Sequence, residues 1–357
     1  MPYKVVVLGP VSSSVYLGGV AVFTESLADG FKKVGCEVIL ITSYTERKFT
    51  QLGVPIIPTT NFARITRQLF SVSRMVNLLN EFKPDLILSS LAYGVINLLY
   101  KRSKRVYYLH GFPTKAYGYI KSKMVIVGSR LFSNHADMTV ANSSLTKMIN
   151  QEFYGLRVDH VINPGVSFSF LENLKQLKKN TGLNSTRSDV LYIGRLVRAK
   201  GLYQLVEAMR IVSSRFQDVK LLIAGDGPER NNLIGALEKN GVPYVYLGIL
   251  DQNQLLELYL RSKVFVSLNS HEPFGITYLE AALAGCKIVC PVTGGHMDFS
   301  PKFPGQFYYV TNAEKAPDVA EAIIHALESP FETTHFDENM LNEFSYETVA
   351  MKILENT

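Results

Sequence analysis

Short apolar runs alternate along this chain with stretches whose apolar residues recur at helical spacing. In the first half the runs are Val5–Leu8, Val38–Thr42, Leu86–Ser89, Val106–Leu109 and Met138–Ala141. Apolar runs without polar alternation read as parallel strands covered on both faces. Between the first two, Ala21, Leu27, Phe31 and Val34 share a helical face, and Gly35 stands where glycine ends helices. After a polar stretch the pattern restarts. Strands are expected at Val190–Ile193, Lys220–Ala224, Tyr244–Leu247, Val264–Ser267, Ile288–Pro291 and Phe307–Val310. Helices fit Leu202–Arg215, Glu229–Asn240, Gln252–Arg261, Thr277–Ala284 and Pro317–Glu328. Such alternation implies α/β architecture with parallel sheets. Its recurrence implies two Rossmann-like domains facing a cleft, with ligands at the carboxyl ends of the strands.

The expected organisation is an N-terminal domain over 1–170, a polar stretch over 171–188 that is a linker or an exposed helix followed by a loop, a second domain over 189–340 and a C-terminal helix over 341–357 that returns to the first domain. The length of 357 residues suits two domains. No apolar run approaches the ~18 residues that span a bilayer, and the opening MPYKVVVLGP reads as a buried strand rather than a signal peptide. Cys36, Cys286 and Cys290 have neither the number nor the spacing of a disulfide framework or a zinc knuckle, which points to a reduced, cytoplasmic protein.

Charge divides the chain. Residues 1–165 carry 11 Lys and 8 Arg against 4 Asp and 5 Glu, a balance of +10; the remainder carries 18 basic and 22 acidic groups, a balance of −4. A basic half suggests an anionic partner there. Its clusters are Arg64, Arg67 and Arg74; Lys101, Arg102, Lys104 and Arg105; and Lys115, Lys121, Lys123 and Arg130. The first and last are interleaved with apolar residues, as in helices lying on an anionic membrane, the inner face of the cell membrane for a cytoplasmic protein. The same pattern also fits helices that simply turn their apolar side to the core. No nucleic-acid-binding motif accompanies these clusters.

Candidate chemistry lies at the strand ends. Gly194 to Gly201, GRLVRAKG, joins a strand to a helix; Arg195 and Lys200 add two cations beside a helix N-terminus that already attracts anions. A diphosphate site and a solvated basic loop both fit. His271 to Cys286, HEPFGITYLEAALAGC, also links a strand to a helix; Pro273 and Gly275 leave the N–H groups near Phe274, Gly275 and Ile276 open to a ligand. Glu272 and Glu280 there are strong acceptors for sugar or ribose hydroxyls. Gly225 to Pro228, with Gly227 inside it, is a tight turn or a further backbone-approach loop, as is Gly294-Gly295. In the first half, Gly18-Gly19 precedes a helix without forming a dinucleotide G-x-G-x-x-G, and His110-Gly111 ends a strand.

Together these residues resemble glycosyltransferase family 4, retaining enzymes of the GT-B fold. Glu272 and Glu280 stand as in that family's E-x7-E signature, GRLVRAKG resembles its diphosphate loop, and Gly225–Pro228 its G-x-G-P turn. Gly18-Gly19, His110-Gly111, Asn142-Ser143 and Asn163–Val166 resemble its N-terminal landmarks. By this resemblance Arg195 and Lys200 hold a nucleotide-sugar donor's diphosphate, Glu272 the sugar hydroxyls and Glu280 the ribose. Gly19, Gly194, Gly227, Phe274, Gly275 and Ile276 line the donor through their backbone. His110 faces the transferred sugar. The resemblance implies no metal, no other cofactor, and a glycan or lipid-linked acceptor. Lys287 and Asp298 depart from the family's usual proline and glutamate. A GT-B-fold epimerase or phosphorylase, or a nucleotide-sugar-binding subunit without turnover, is the competing reading.

Overall fold

A computed structural model describes residues 2–12, 18–60, 72–113, 118–180, 187–330 and 338–357. The chain divides into two units, Met1–Phe168 with Glu338–Thr357, and Ser169–Asp337.

The first unit holds β1 (Lys4–Leu8), β2 (Glu37–Thr42), β3 (Ile56–Pro58), β4 (Leu86–Ser90), β5 (Lys104–Leu109), β6 (Met138–Ala141) and β7 (His160–Val161). Their order is β3-β2-β1-β4-β5-β6-β7, and every pairing is parallel. Alternate residues of one strand serve opposite faces, as strand geometry dictates. Val5 and Val7 pack with Phe23, Leu27 and Phe31 of helix Gly19–Lys33. Val6 and Leu8 pack with Met75 and Leu79 of helix Val72–Phe82. A sheet covered on both sides requires the uninterrupted apolar runs seen in the sequence.

The second unit holds β8 (Asp189–Ile193), β9 (Leu221–Ala224), β10 (Tyr244–Gly248), β11 (Ser262–Val266), β12 (Lys287–Pro291) and β13 (Phe307–Val310). The order is β10-β9-β8-β11-β12-β13, again parallel throughout. Strand order reverses between β8 and β11, so the loops after these two neighbours leave the same sheet edge side by side, where open α/β sheets bind ligands.

Two boundaries differ from the sequence reading. The polar stretch over 171–188, read as a linker or as an exposed helix followed by a loop, is helical through Asn180, in a helix that begins earlier, Phe168–Asn180, while 181–186 lies outside the described residues. Its polar composition hides an apolar face. Phe170 meets the ring of Tyr259 edge-on at 6.2 Å, Ser169 Oγ donates to Gln252, and Leu174 is fully buried. The chain rejoins the first unit at Glu338 rather than at 341. There Tyr346, Val349 and Ile353 of helix Tyr346–Glu355 enter the core behind β1, and Val166 N–H donates to the Phe344 carbonyl at 2.9 Å.

Candidate functional site

In the second unit, four loops leave the carboxyl edge of the sheet beside the reversal. The β8 loop, Gly194–Gly201, and the β9 loop, Gly225–Pro228, lie directly on one another. Leu196 N–H donates to the Asp226 carbonyl at 3.0 Å, and Glu229 N–H to the Leu196 carbonyl at 3.1 Å. A Cβ on Gly227 would stand 2.3 Å from the Leu196 carbonyl oxygen. Gly227, expected as a donor contact, is thus required by the packing of one loop on the next. Gly194, another expected donor contact, is bonded through its N–H to the Ala224 carbonyl at 3.0 Å.

The two expected cations differ. Arg195 is exposed, and among the described residues its guanidinium has no partner. Lys200, in the short turn Arg198–Lys200 before helix Leu202–Arg215, reaches across to the β11 loop, where its Nζ lies 2.6 Å from Glu272 Oε2. Asn269 Nδ2 donates to the same oxygen at 2.8 Å. The structure therefore makes one cluster of two residues that the sequence placed on different parts of a ligand, the diphosphate and the sugar. Adjacent β8 and β11 bring them together, with Phe265 in register with Leu191.

Beyond Glu272 the chain turns through Pro273 and Phe274 to Gly275, whose φ of +92° is left-handed backbone that side chains disfavour. Gly275 is the N-cap of helix Ile276–Leu283, and no side chain caps that end. Its first N–H groups form an anion-attracting end at Ile276. The Phe274 side chain points inward against Phe299 at 5.2 Å, leaving only its backbone for a ligand.

Glu280, one turn into that helix, accepts from Tyr259 Oη at 3.0 Å. Burial pushes its carboxyl up to about 7. Because the folded value lies above the unfolded one, Glu280 costs nothing in stability while protonated below about 4.5, and an increasing amount as pH rises to about 7. Glu280→Gln should therefore gain stability over the parent on going from pH 5 to pH 8, by on the order of 2 kcal/mol. Urea unfolding at both pH values checks this; equal differences at the two would place an unburied carboxylate there.

The β12 loop completes the edge. Gly295 N–H donates to the Glu272 carbonyl at 2.9 Å, and a Cβ on Gly295 would lie 1.9 Å from the Pro273 carbonyl oxygen. His296 follows, fully buried, its ring stacked on Tyr278 at 5.0 Å and its Nε2 3.1 Å from the Pro291 carbonyl. That contact places the ring proton on Nε2, and burial lowers the ring's basicity. Asn269, Tyr259 and His296 were not singled out by sequence. Asn269 carried no signal, whereas His296 stands directly after the glycine pair.

In the first unit, Gly18 caps helix Gly19–Lys33 with no side-chain cap, and a Cβ on Gly19 would meet nothing within 4 Å. Among the described residues, nothing packs against Gly19 that would require glycine there. His110 leaves β5 between the rings of Phe23 at 4.7 Å and Tyr108 at 5.0 Å. Its carbonyl accepts from Asn142 Nδ2 at 3.0 Å, while its buried Nε2 has no partner among the described residues. Burial lowers His110 to about 3. The imidazole is neutral across the physiological range and can exchange a hydrogen bond with a ligand, not a full charge.

Of the basic clusters, 61–71 and 114–117 lie outside the described residues, which removes Arg64, Arg67 and Lys115 from view. Met75, expected on a membrane face, is fully buried in the core. Helix Tyr119–His135 behaves differently: Ile120, Met124, Val127 and Leu131 fall on one stripe, each exposed, up to 75% for Ile120.

Comparison with known proteins agrees with this architecture. The family model described as glycosyltransferase family 4 matches residues 17–170, and that of glycosyl transferases group 1 matches 174–343. The alpha-monoglucosyldiacylglycerol synthase of Streptococcus pneumoniae is 23% identical over 94% of this chain and 80% of its own. The sulfoquinovosyl transferase of Arabidopsis thaliana is 22% identical over 84% of this chain and 62% of its own. The Anabaena protein HepE, solved with UDP and glucose, superposes with a TM-score of 0.76 at 19% identity, covering 99% of both chains.

Proposed function

Since the chain belongs to the glycosyltransferases, with a family 4 domain followed by a group 1 domain, we propose that it is a retaining enzyme that transfers a hexose from a nucleoside-diphosphate sugar to a lipid-linked acceptor. The observation that carries the donor assignment is the cluster at the second sheet's reversal: Lys200 on Glu272, with exposed Arg195 earlier in the Lys200 loop and the uncapped helix end at Ile276. Lys200 and Arg195 suit a diphosphate. Glu272 suits sugar hydroxyls, with Gly275 and Ile276 offering backbone around them, and Glu280 suits the ribose diol. Retention follows from front-side attack, in which the leaving diphosphate takes the acceptor's proton. In the first unit neutral His110 supplies a hydrogen bond to the transferred sugar. The cations and N–H groups do the work a divalent ion does elsewhere. HepE was solved with UDP and glucose, and a uridine donor is the first to try. Thermal melting against a panel of nucleotide sugars tests the proposal. A donor at 100 times its dissociation constant should add about 2.7 kcal/mol, and transfer should survive EDTA. No stabilisation by any nucleotide sugar would sink the donor assignment.

The acceptor side follows from helix Tyr119–His135. Its exposed apolar stripe is accompanied by Lys121, Lys123 and Arg130, and the helix contains no acidic residue. That combination fits an anionic bilayer, into which the stripe dips while the cations meet headgroups. One relative is named as a monoglucosyldiacylglycerol synthase, which agrees with a peripheral enzyme on the cytoplasmic face of the cell membrane acting on an acceptor held there. Met124→Glu, at a position 69% exposed, should abolish co-sedimentation with phosphatidylglycerol vesicles without altering thermal stability. Binding of the parent should need anionic lipid and fade with salt. Equal binding of parent and variant would rule this face out.

A further inference from the structure

Both protein donors to Glu272 land on one oxygen. Lys200 Nζ at 2.6 Å and Asn269 Nδ2 at 2.8 Å share Oε2, and among the described residues Oε1 takes no bond. The carboxylate is thereby held in one orientation with a free acceptor, at 20% side-chain exposure, and Lys200 is 25% exposed. At such partial burial a charge acts on its neighbours more strongly than it would in water. Three N–H donors on one ammonium also let Lys200 hold Glu272 and a second anion together.

From this arrangement we infer that Glu272 discriminates between the two nucleotide forms the site meets, strengthening the sugar-bearing donor and loosening the nucleoside diphosphate left after transfer. The inference rests on the donor assignment proposed above. Transfer breaks the bond between the anomeric carbon and the β-phosphate oxygen, and that oxygen keeps the electron pair. The acceptor oxygen bonds the anomeric carbon and passes its proton to the leaving diphosphate, which releases it to water at neutral pH because a terminal phosphate's second ionisation lies at about 6. The diphosphate therefore leaves with one negative charge more than it carried as donor, on the phosphate nearest the position the sugar occupied. Before transfer, Oε1 faces hydroxyl groups that donate to it. Afterwards it faces no donor and an added negative charge, and it competes with that charge for Lys200. A carboxylate serves both steps, whereas a neutral amide of the same shape serves neither. Asn269 acts as a positioning residue, since it keeps Oε2 on Lys200 and Oε1 outward.

The test is calorimetric titration of the parent chain and Glu272→Gln with UDP, UMP and UDP-glucose, with the guanosine and adenosine series in parallel. Glu272→Gln should bind the nucleoside diphosphate about tenfold more tightly, about 1.4 kcal/mol, and the nucleotide sugar about tenfold more weakly. The monophosphate, lacking the β-phosphate, should change less than threefold. Opposite shifts for two ligands of one variant cannot come from general damage to the fold, and Glu272→Ala should reproduce their signs. Unchanged or weakened diphosphate binding in both variants, with a parent that binds it, would overturn the inference and leave the donor site standing. A parent that binds no nucleotide of any series would overturn both.

Discussion

Lys200→Ala should lose nucleoside diphosphate affinity by on the order of 3 kcal/mol, the upper end of a charge-assisted hydrogen bond, and Arg195→Ala by about 1 kcal/mol. The ranking comes from the structure. Arg195 is exposed and water screens it, whereas Lys200 is three-quarters covered and bound to Glu272. Removing Lys200 subtracts the diphosphate's ammonium and also uncovers the Glu272 carboxylate, which then repels the same anion. Adding Glu272→Gln to Lys200→Ala should accordingly restore part of the lost affinity, a coupling that a double-mutant cycle reads directly. The cost to folding should stay below about 1 kcal/mol, because a partly exposed ion pair is worth little. Isothermal titration of the four proteins checks the ranking. An Arg195→Ala loss equal to or larger than that of Lys200→Ala would mean that the anion sits elsewhere on the edge.

The scaffold was readable because parallel strands buried on both faces leave a one-dimensional trace. Met138–Ala141 and Phe307–Val310 lie where the apolar runs put them, and the remaining runs shifted by a residue or two at their ends. The strands Ile56–Pro58 and His160–Val161 escaped because they are too short to show a period. Helix Phe168–Asn180 reads equally as a linker or an exposed helix because its lysines and asparagines outweigh a narrow buried face. At the candidate site, residue types were legible and partners were not. Glu272 and Lys200 stand 72 positions apart, and only the β8–β11 pairing makes them one cluster. Asn269 was invisible for the same reason: an asparagine in a loop has no meaning until the carboxylate it donates to is placed. The glycines near the site divide on the same ground. Among the described residues nothing crowds Gly19, while Gly227 and Gly295 stand against backbone, a distinction no sequence pattern contains.

That distinction yields the largest expected loss of turnover from the smallest change. In Gly295→Ala the new Cβ would meet the Pro273 carbonyl oxygen at 1.9 Å, the Pro273 carbonyl carbon at 2.5 Å and Phe274 Cα at 2.6 Å. All three are backbone atoms, so no rotamer relieves the clash and the two loops must part. Parting breaks the hydrogen bond from Gly295 N–H to the Glu272 carbonyl and moves Glu272 off Lys200. His296, clamped between Tyr278 and the Pro291 carbonyl, prevents the β12 loop from yielding alone. Overpacking of this kind costs about 1–3 kcal/mol of stability, and a displacement of about 1 Å in a positioning group costs about a hundredfold in rate. Gly241→Ala is the control. Its φ of +62° makes alanine unfavourable by about 1–2 kcal/mol, yet a Cβ there meets nothing within 4 Å, and it lies on the turn before β10, at the opposite edge of the sheet. Both variants should melt earlier than the parent, but only Gly295→Ala should lose turnover, by about a hundredfold when assayed well below its melting temperature. Parallel losses of stability and turnover in the two variants would show that the contact between the β11 and β12 loops has no part in setting the site.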